Sequence, residues 1–311
     1  MFEKIINEQK QQKTHYINGP NPPEAGISIE IKDNKIVKVI DGANLEQQVR
    51  RQQYIDLIIN TMKGNSINDC FVNINLRDIP KPGYFNFCRN LGKADEFLLP
   101  NQRFTKDDIK IVDIDTILPT FNEQRRLIRS LTIPFENKIS KFFTMTSPFS
   151  IRRPYIHYAL ENLDICDATL HVTPTQTMTP HISELATKCK MHKMLTRRCM
   201  PFIAHNNYKY VLYIDGTTIS DRMRLLLCLN SVVIKKSTTP KWEEFYSFKL
   251  KSEVNYISYC DESELRDIHR RLEGDPALCK KIIANNTRFI NNILTYENIM
   301  KYTADLINAV C

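Results

Sequence analysis

The chain has 311 residues, 42% hydrophobic and 25% charged, with 8 glycines and 15 prolines, which excludes collagenous, low-complexity and wholly disordered chains. Its 43 basic and 35 acidic side chains leave a net charge of +8. That charge attracts anions, but it is scattered in pairs such as Arg197-Arg198 and Lys235-Lys236, without the aromatic-studded basic stripe of a nucleic-acid binder. The length predicts two domains. An odd set of nine cysteines, no apolar leader after Met1 and no apolar run long enough for a bilayer predict free thiols, a cytoplasmic location and no membrane span.

Residues 1–24 are polar, contain Asn18-Gly-Pro-Asn-Pro-Pro23 and read as an irregular arm. Ile27, Ile29 and Ile31, then Val37 and Val39, alternate with period two around a polar turn at 32–35, which predicts a hairpin. Over 44–63, Leu45, Val49, Tyr54, Leu57, Ile58 and Met62 recur near helical spacing. Cys70 to Leu76 reads as a buried strand that stops at Arg77, Asp78 and the stiff Pro80-Lys81-Pro82 loop. Strands are also predicted at 109–115 and 141–146, the latter followed by a helix over 153–163. Tyr208 to Asp215, Gly216, a helix over 223–229 and a strand over 231–235 read as a βαβ unit with parallel strands. Asp261 and Glu264 have capping-box spacing ahead of a helix to about 272, and 277–311 forms one or two helices.

Asp78 is the best general-base candidate, because open α/β sheets present ligand-binding residues at the carboxyl ends of their strands; a turn aspartate bonding its own loop is the structural alternative. The glycine turn at 215–222 precedes a helix and carries Ser220 and Arg222. Backbone N–H groups, the helix dipole and a bidentate guanidinium there favour a phosphate, although one glycine before a helix is commonplace in such folds. Asp113 and Asp115 share one side of their strand and could chelate a divalent cation, but solvent-facing or capping roles are the preferred reading. Cys189, His192 and Cys199 are an incomplete zinc set, since structural zinc takes four ligands; a packed Cys189 and an exposed His192 are expected. His205, Tyr208 and Tyr210 are expected to pack at the start of their strand.

In this order the blocks resemble the protein O-glucosyltransferase family, which includes KDEL-tailed endoplasmic-reticulum transferases and fungal capsule-associated xylosyltransferases. Phe71 to Pro80 is similar to the family's Φ-N-x-R-D-x-P segment, and Asp115 with Pro119 to its D-x-x-x-P. Phe142-Phe143 through Arg152-Arg-Pro154 resembles F-R-G-S-x-T-x-x-x-R-x-P. Lys209 to Gly216, Ser220-x-Arg222 and Asn230 to Ile234 resemble the donor-site block. Glu244-Phe245, Tyr256-Ile257, Asp261-x-Ser263-x-Leu265 and the helix from Ala284 to Phe289 complete a resemblance over about residues 65–310.

The resemblance implies an α/β fold of two Rossmann-like domains facing a cleft (GT-B type). An acceptor-side domain would span 1–140 and a UDP-sugar donor domain 141–290, with a helix at 291–311 crossing back to the first. It implies an inverting, metal-independent glycosyltransferase moving glucose or xylose from a UDP-sugar to a hydroxyl of a glycan or glycoprotein, with no cofactor beyond the donor. Asp78 matches the catalytic base. Arg152 and Arg222 match the arginines on the UDP diphosphate, Thr146 a serine beside it, and Gly216-Thr217 with Ser220 the phosphate turn. Glu244 matches a carboxylate at the nucleotide end. Thr144-Met145 replaces the family's Arg-Gly, which removes a donor and a tight backbone approach. The family's signal peptide, paired cysteines and KDEL tail are missing, which favours a cytoplasmic acceptor. Two other readings stand beside this one: an inactive nucleotide-sugar or glycan-binding module, and a metal-dependent transferase using Asp113 and Asp115.

Overall fold

Ile27, Ile29 and Ile31 are fully buried on β1 (Gly26–Lys32), which pairs antiparallel with β2 (Lys35–Asp41) as the alternation predicts. Asp33 and Asn34 make the turn at φ 49° and 55°, a left-handed conformation that these two residue types tolerate better than most. The computed structural model describes residues 2–42, 48–77, 79–90, 96–100, 121–148, 150–172, 180–196, 202–216, 218–220, 222–238 and 241–311. Two compact units emerge: Met1–Gln124, Pro240–Lys249 and Asn291–Cys311 form the first, and Arg125–Thr239 with Leu250–Ile290 the second. The sequence reading divided the chain at 140 and 290, and did not anticipate the short stretch at 240–249.

In the first unit, α1 (Glu3–Gln11) replaces the irregular arm expected at 1–24. Phe2, Ile5 and Gln9, three and four residues apart, are all buried, and that stripe explains the helix. Phe2 packs on the rings of Phe245 and Tyr302 at 5.6 and 4.9 Å between centroids. The helix expected over 44–63 is α2 (Gln48–Met62), with Tyr54, Leu57 and Ile58 buried. β3 (Cys70–Asn75) pairs antiparallel with β1 and parallel with β4 (Phe85–Asn86), which pairs parallel with β6 (Phe97–Leu98). The sheet is therefore mixed, in the order β2-β1-β3-β4-β6. β5 (Arg89–Asn90) pairs with β12 (Trp242–Glu243), where buried Arg89 donates to Glu243 at 2.5 Å and to Glu8 at 2.7 Å. α9 (Tyr296–Val310) is capped by Thr295, whose hydroxyl accepts from the Asn298 amide.

The second unit carries a six-stranded, wholly parallel sheet: β7 (Ile139–Thr146), β8 (Cys166–His171), β9 (Leu195–Thr196), β10 (Tyr208–Tyr213), β11 (Val232–Lys236) and β13 (Ile257–Tyr259). The spatial order is β13-β11-β10-β7-β8-β9. Read from β9 and counted by appearance along the chain this is 3-2-1-4-5-6, the doubly wound order of Rossmann sheets. Phe142, Tyr155, Leu212, Ile234, Leu265 and Ile282 belong to one buried core shared with α4 (Arg153–Glu161), α7 (Leu265–Gly274) and α8 (Pro276–Asn292). The predicted βαβ unit is present, with a helix, α6 (Met223–Leu226), shorter than the expected 223–229. The capping box also forms: Asp261 accepts from the Ser263 amide, and Glu264 accepts from the Asp261 amide at 2.8 Å. The strand expected at 109–115, with Asp113 and Asp115, lies outside the described residues. The fold is α/β with a parallel sheet, the class expected from sequence. No helix among the described residues is long and apolar enough to cross a membrane.

Candidate active site

In a doubly wound sheet the chain leaves the first strand in one direction and the fourth in the other. Their following loops diverge and open a crevice at the carboxyl edge. Here those strands are β7 and β10, neighbours in register through Phe143 and Val211. Thr146 ends β7 and Arg152 lies in the loop behind it; Gly216, Ser220 and Arg222 follow β10. Five of the residues singled out from sequence thus meet at one edge of one sheet.

The two arginines cross. Arg152, 8% exposed, donates through Nε to the Asp215 carbonyl beyond β10 at 2.9 Å. Arg222, beyond β10, donates through Nη1 back to the Met145 carbonyl on β7, and through Nε to Ser220 Oγ at 3.1 Å. Each guanidinium therefore ties its own loop to the other strand, and both positive charges are held where the two loops part. The Asp215 side chain, 2% exposed, shapes the turn: Oδ1 accepts from the Ser220 amide at 3.2 Å and Oδ2 from the Thr238 hydroxyl at 2.8 Å. Tyr213 OH donates to the Ser220 carbonyl at 3.0 Å. The Gly216 amide is used within the turn, donating to the Thr218 carbonyl at 3.0 Å, and the Thr146 hydroxyl donates to the Ser147 carbonyl at 3.1 Å. The cationic side chains, more than the loop amides, give this edge the chemistry that suits an anion.

His205, in the turn before β10, is fully buried against the rings of Phe143 and Phe202 at 5.0 and 4.8 Å. Its Nδ1 donates to the Phe202 carbonyl at 2.9 Å. Burial, with the Arg222 charge as the second cause, pushes its pKa down to about 3, so the ring is neutral. The sequence reading had it packing before the strand, which it does; its proximity to the Arg222 charge was not foreseen. Thr144, in place of the family's arginine, is buried at 1% exposure.

The other candidates belong to the first unit or lie outside the described residues. Glu244 is 1% exposed and accepts from Tyr246 OH at 2.5 Å. Asp78 and Thr217 are outside the described residues, but the loop that carries Asp78 is framed by two buried asparagines. Asn75 Nδ2 donates to the Ile79 carbonyl and to Asn86 Oδ1 at 2.8 and 2.9 Å. Asn86 in turn accepts from the Lys81 amide and donates to the Lys81 and Tyr84 carbonyls. Gly83 follows with φ +78°, and a Cβ there would meet the His15 carbonyl at 2.9 Å, so the loop end requires glycine. Asp215, Thr238 and Asn86 are residues the sequence reading did not assign; the only signal for Asp215 was its place at the end of the strongest strand. Cys189 is buried and His192 exposed, as expected. Among the described residues no group of three or more His, Cys, Asp or Glu is arranged to hold a metal ion.

The chain belongs to glycosyl transferase family 90, whose model matches residues 53–310; by family it is a glycosyltransferase. No curated protein matches it in sequence. Among solved structures it is similar to HepE from Anabaena, solved in complex with UDP-glucose, at 12% identity and TM-score 0.43, over 60% of this chain and 53% of that one. A glycosyltransferase from Rickettsia africae is 11% identical with TM-score 0.41, over 64% of this chain and 54% of that one. The C-terminal domain of a glycosyl transferase group 1 family protein (LpcC) from Francisella tularensis is 12% identical with TM-score 0.37, over 54% of this chain and 91% of that one. The match thus spans about half the length of the HepE and Rickettsia chains, and likenesses this distant carry no argument about donor or mechanism.

Proposed function

We propose that the chain is an inverting, metal-independent glycosyltransferase of the GT-B type, using a UDP-sugar, either UDP-glucose or UDP-xylose, and a hydroxyl of a glycan or glycoprotein. The observation that supports this best is the crossed arginine pair, Arg152 and Arg222, at the switch point of a doubly wound sheet in a family 90 chain. On this reading the guanidiniums hold the diphosphate and take up the negative charge that grows on departing UDP, the part a metal ion plays elsewhere. Asp78 accepts the proton of the acceptor hydroxyl as that oxygen attacks the anomeric carbon from the face opposite UDP, which inverts the configuration. Glu244 is assigned to the nucleotide end and Thr146, Thr217 and Ser220 to the diphosphate, all from the resemblance.

Calorimetric titration of UDP, UDP-glucose and UDP-xylose, first in EDTA and then with manganese, tests the donor. Micromolar binding in EDTA is expected; binding that requires manganese moves the chemistry to Asp113 and Asp115, and no binding of any nucleotide removes the reading. Asp78→Asn should lower transfer by about 100-fold or more while leaving UDP affinity unchanged. Near-normal transfer by that variant would remove Asp78 as the base.

A further inference from the structure

At the far end of β3 from the Asp78 loop, the first unit brings two cysteines together from distant parts of the sequence. Asn308, near the end of α9, clamps the chain entering β3: its Oδ1 accepts from the Asn68 amide at 2.8 Å and its Nδ2 donates to the Ser66 carbonyl at 2.9 Å. Cys311, immediately after α9, then lies on the first residues of β3. Its Sγ is 3.6 Å from the carbonyl of Phe71, the residue after Cys70, and that carbonyl also accepts from Tyr16 OH at 2.8 Å. Both cysteines are of intermediate exposure, and the exchange needs an incoming reagent only at Cys70.

We infer that Cys70 and Cys311 form a thiol–disulfide exchange site, which a small-molecule disulfide such as glutathione disulfide closes into a Cys70–Cys311 bond. The pair is chemically asymmetric in the way such exchange needs. A hydrogen bond from Cys311 lowers the Cys70 pKa, and Lys13 adds to this, while Asp69 and partial burial oppose it; burial holds Cys311 up as a thiol. The Cys70 thiolate attacks one sulfur of the glutathione disulfide, forming a mixed disulfide and releasing one glutathione thiolate, which takes up a proton. Cys311 then loses its proton and attacks the Cys70 sulfur, forming the intramolecular bond and releasing the second glutathione. Two protein thiols are oxidised and one glutathione disulfide is reduced to two thiols, with both protons accounted for. Burial pushes Cys166 up to about 12 and Cys189 and Cys279 up to about 11, and Cys260 is exposed. The bond would pin α9 to the start of β3 and restrain the unfolded chain between residues 70 and 311.

The test equilibrates the purified protein in glutathione buffers of stepped ratio, quenches with acid, alkylates free thiols and digests with trypsin without reduction. The peptide Gly64–Arg77, with Cys70 as its single cysteine, should appear linked to the peptide that begins at Tyr302. Cys311→Ser should instead accumulate glutathione on Cys70, and the higher melting temperature of the oxidised wild type should be absent from Cys70→Ser and Cys311→Ser. Wild type alone decides the matter if a serine variant fails to fold. In the most oxidising buffer, Gly64–Arg77 recovered only alkylated, or only as a glutathione adduct, would overturn the inference.

Discussion

The two loop systems at the carboxyl edges of the two sheets are built from opposite materials. In the second unit the loops after β7 and β10 are held by charged side chains on backbone carbonyls: Arg152 on Asp215, Arg222 on Met145. In the first unit the loop after β3 is held by neutral amides, with Asn75 and Asn86 satisfying each other and the loop backbone. A guanidinium on a carbonyl keeps its positive charge, so such a loop is scaffold and local charge at once. An amide network is spent on its own loop, and it fixes the backbone on either side of the position proposed for the base without adding a competing charge.

Breaking each system should therefore read out differently. Arg222→Ala should weaken UDP binding by about 2–4 kcal/mol, the scale for a charge-assisted pair in a partly dry site, with an unfolding midpoint near that of wild type; unchanged UDP affinity would count against the crossed arginines as the anion site. Asn86→Ala should do the reverse. Its loss strands two donors, of Asn75 and Lys81, and two acceptors, the Lys81 and Tyr84 carbonyls, a destabilisation of about 2–3 kcal/mol in urea titrations, with UDP affinity retained.

A third cation sharpens the contrast. Lys138, 5% exposed at the amino edge of the second sheet, donates to Asn206 Oδ1 and Ser231 Oγ, both at 2.9 Å, and burial pushes its pKa down to about 7. The unfolded lysine titrates near 10.5, so between these values the unfolded chain binds one more proton than the folded one. Stability contributed by this group consequently rises with pH through that window, by at most about 1.4 kcal/mol per pH unit. Lys138→Met should lack that slope, so the wild-type-minus-variant stability difference should rise between pH 7 and 10; parallel profiles would show that the ammonium is not buried. Smallest, Thr238→Val should cost about 1 kcal/mol by taking one donor from Asp215, measured by thermal unfolding, with a modest loss of UDP affinity as the turn loosens.

The parts legible in sequence were those with a strong period or local chemistry. Ile27, Ile29 and Ile31 announced β1, the Asp261 and Glu264 pair announced its cap, and Tyr208 to Gly216 announced the strand and turn that carry Arg222. α1 was missed because its buried stripe is only Phe2, Ile5 and Gln9 among charged and amide residues, and a buried glutamine carries no hydrophobic signal. Gln9 is inside because its amide meets the Leu98 N–H at 2.6 Å and the Tyr302 hydroxyl at 3.3 Å, partners remote in sequence. The same holds at the site. Motif matching could align Arg152 and Arg222, but their crossing depends on the register of β7 against β10, and the roles of Thr238 and Asn86 depend on hydrogen bonds between loops.

The first unit has a temporal consequence. Phe2, at the start of α1, rests on Tyr302 of α9 and on Phe245 from the stretch between them, so a helix made before the second unit waits for one made after it. The second unit meets no such delay, since all its strands lie between 139 and 259. During synthesis the central unit can close while the apolar side of α1 is still uncovered, an interval in which a chain is exposed to chaperones and to aggregation. Pulsed hydrogen exchange during refolding should find β7 and β10 protected before α1; simultaneous protection would mean that the two units fold as one.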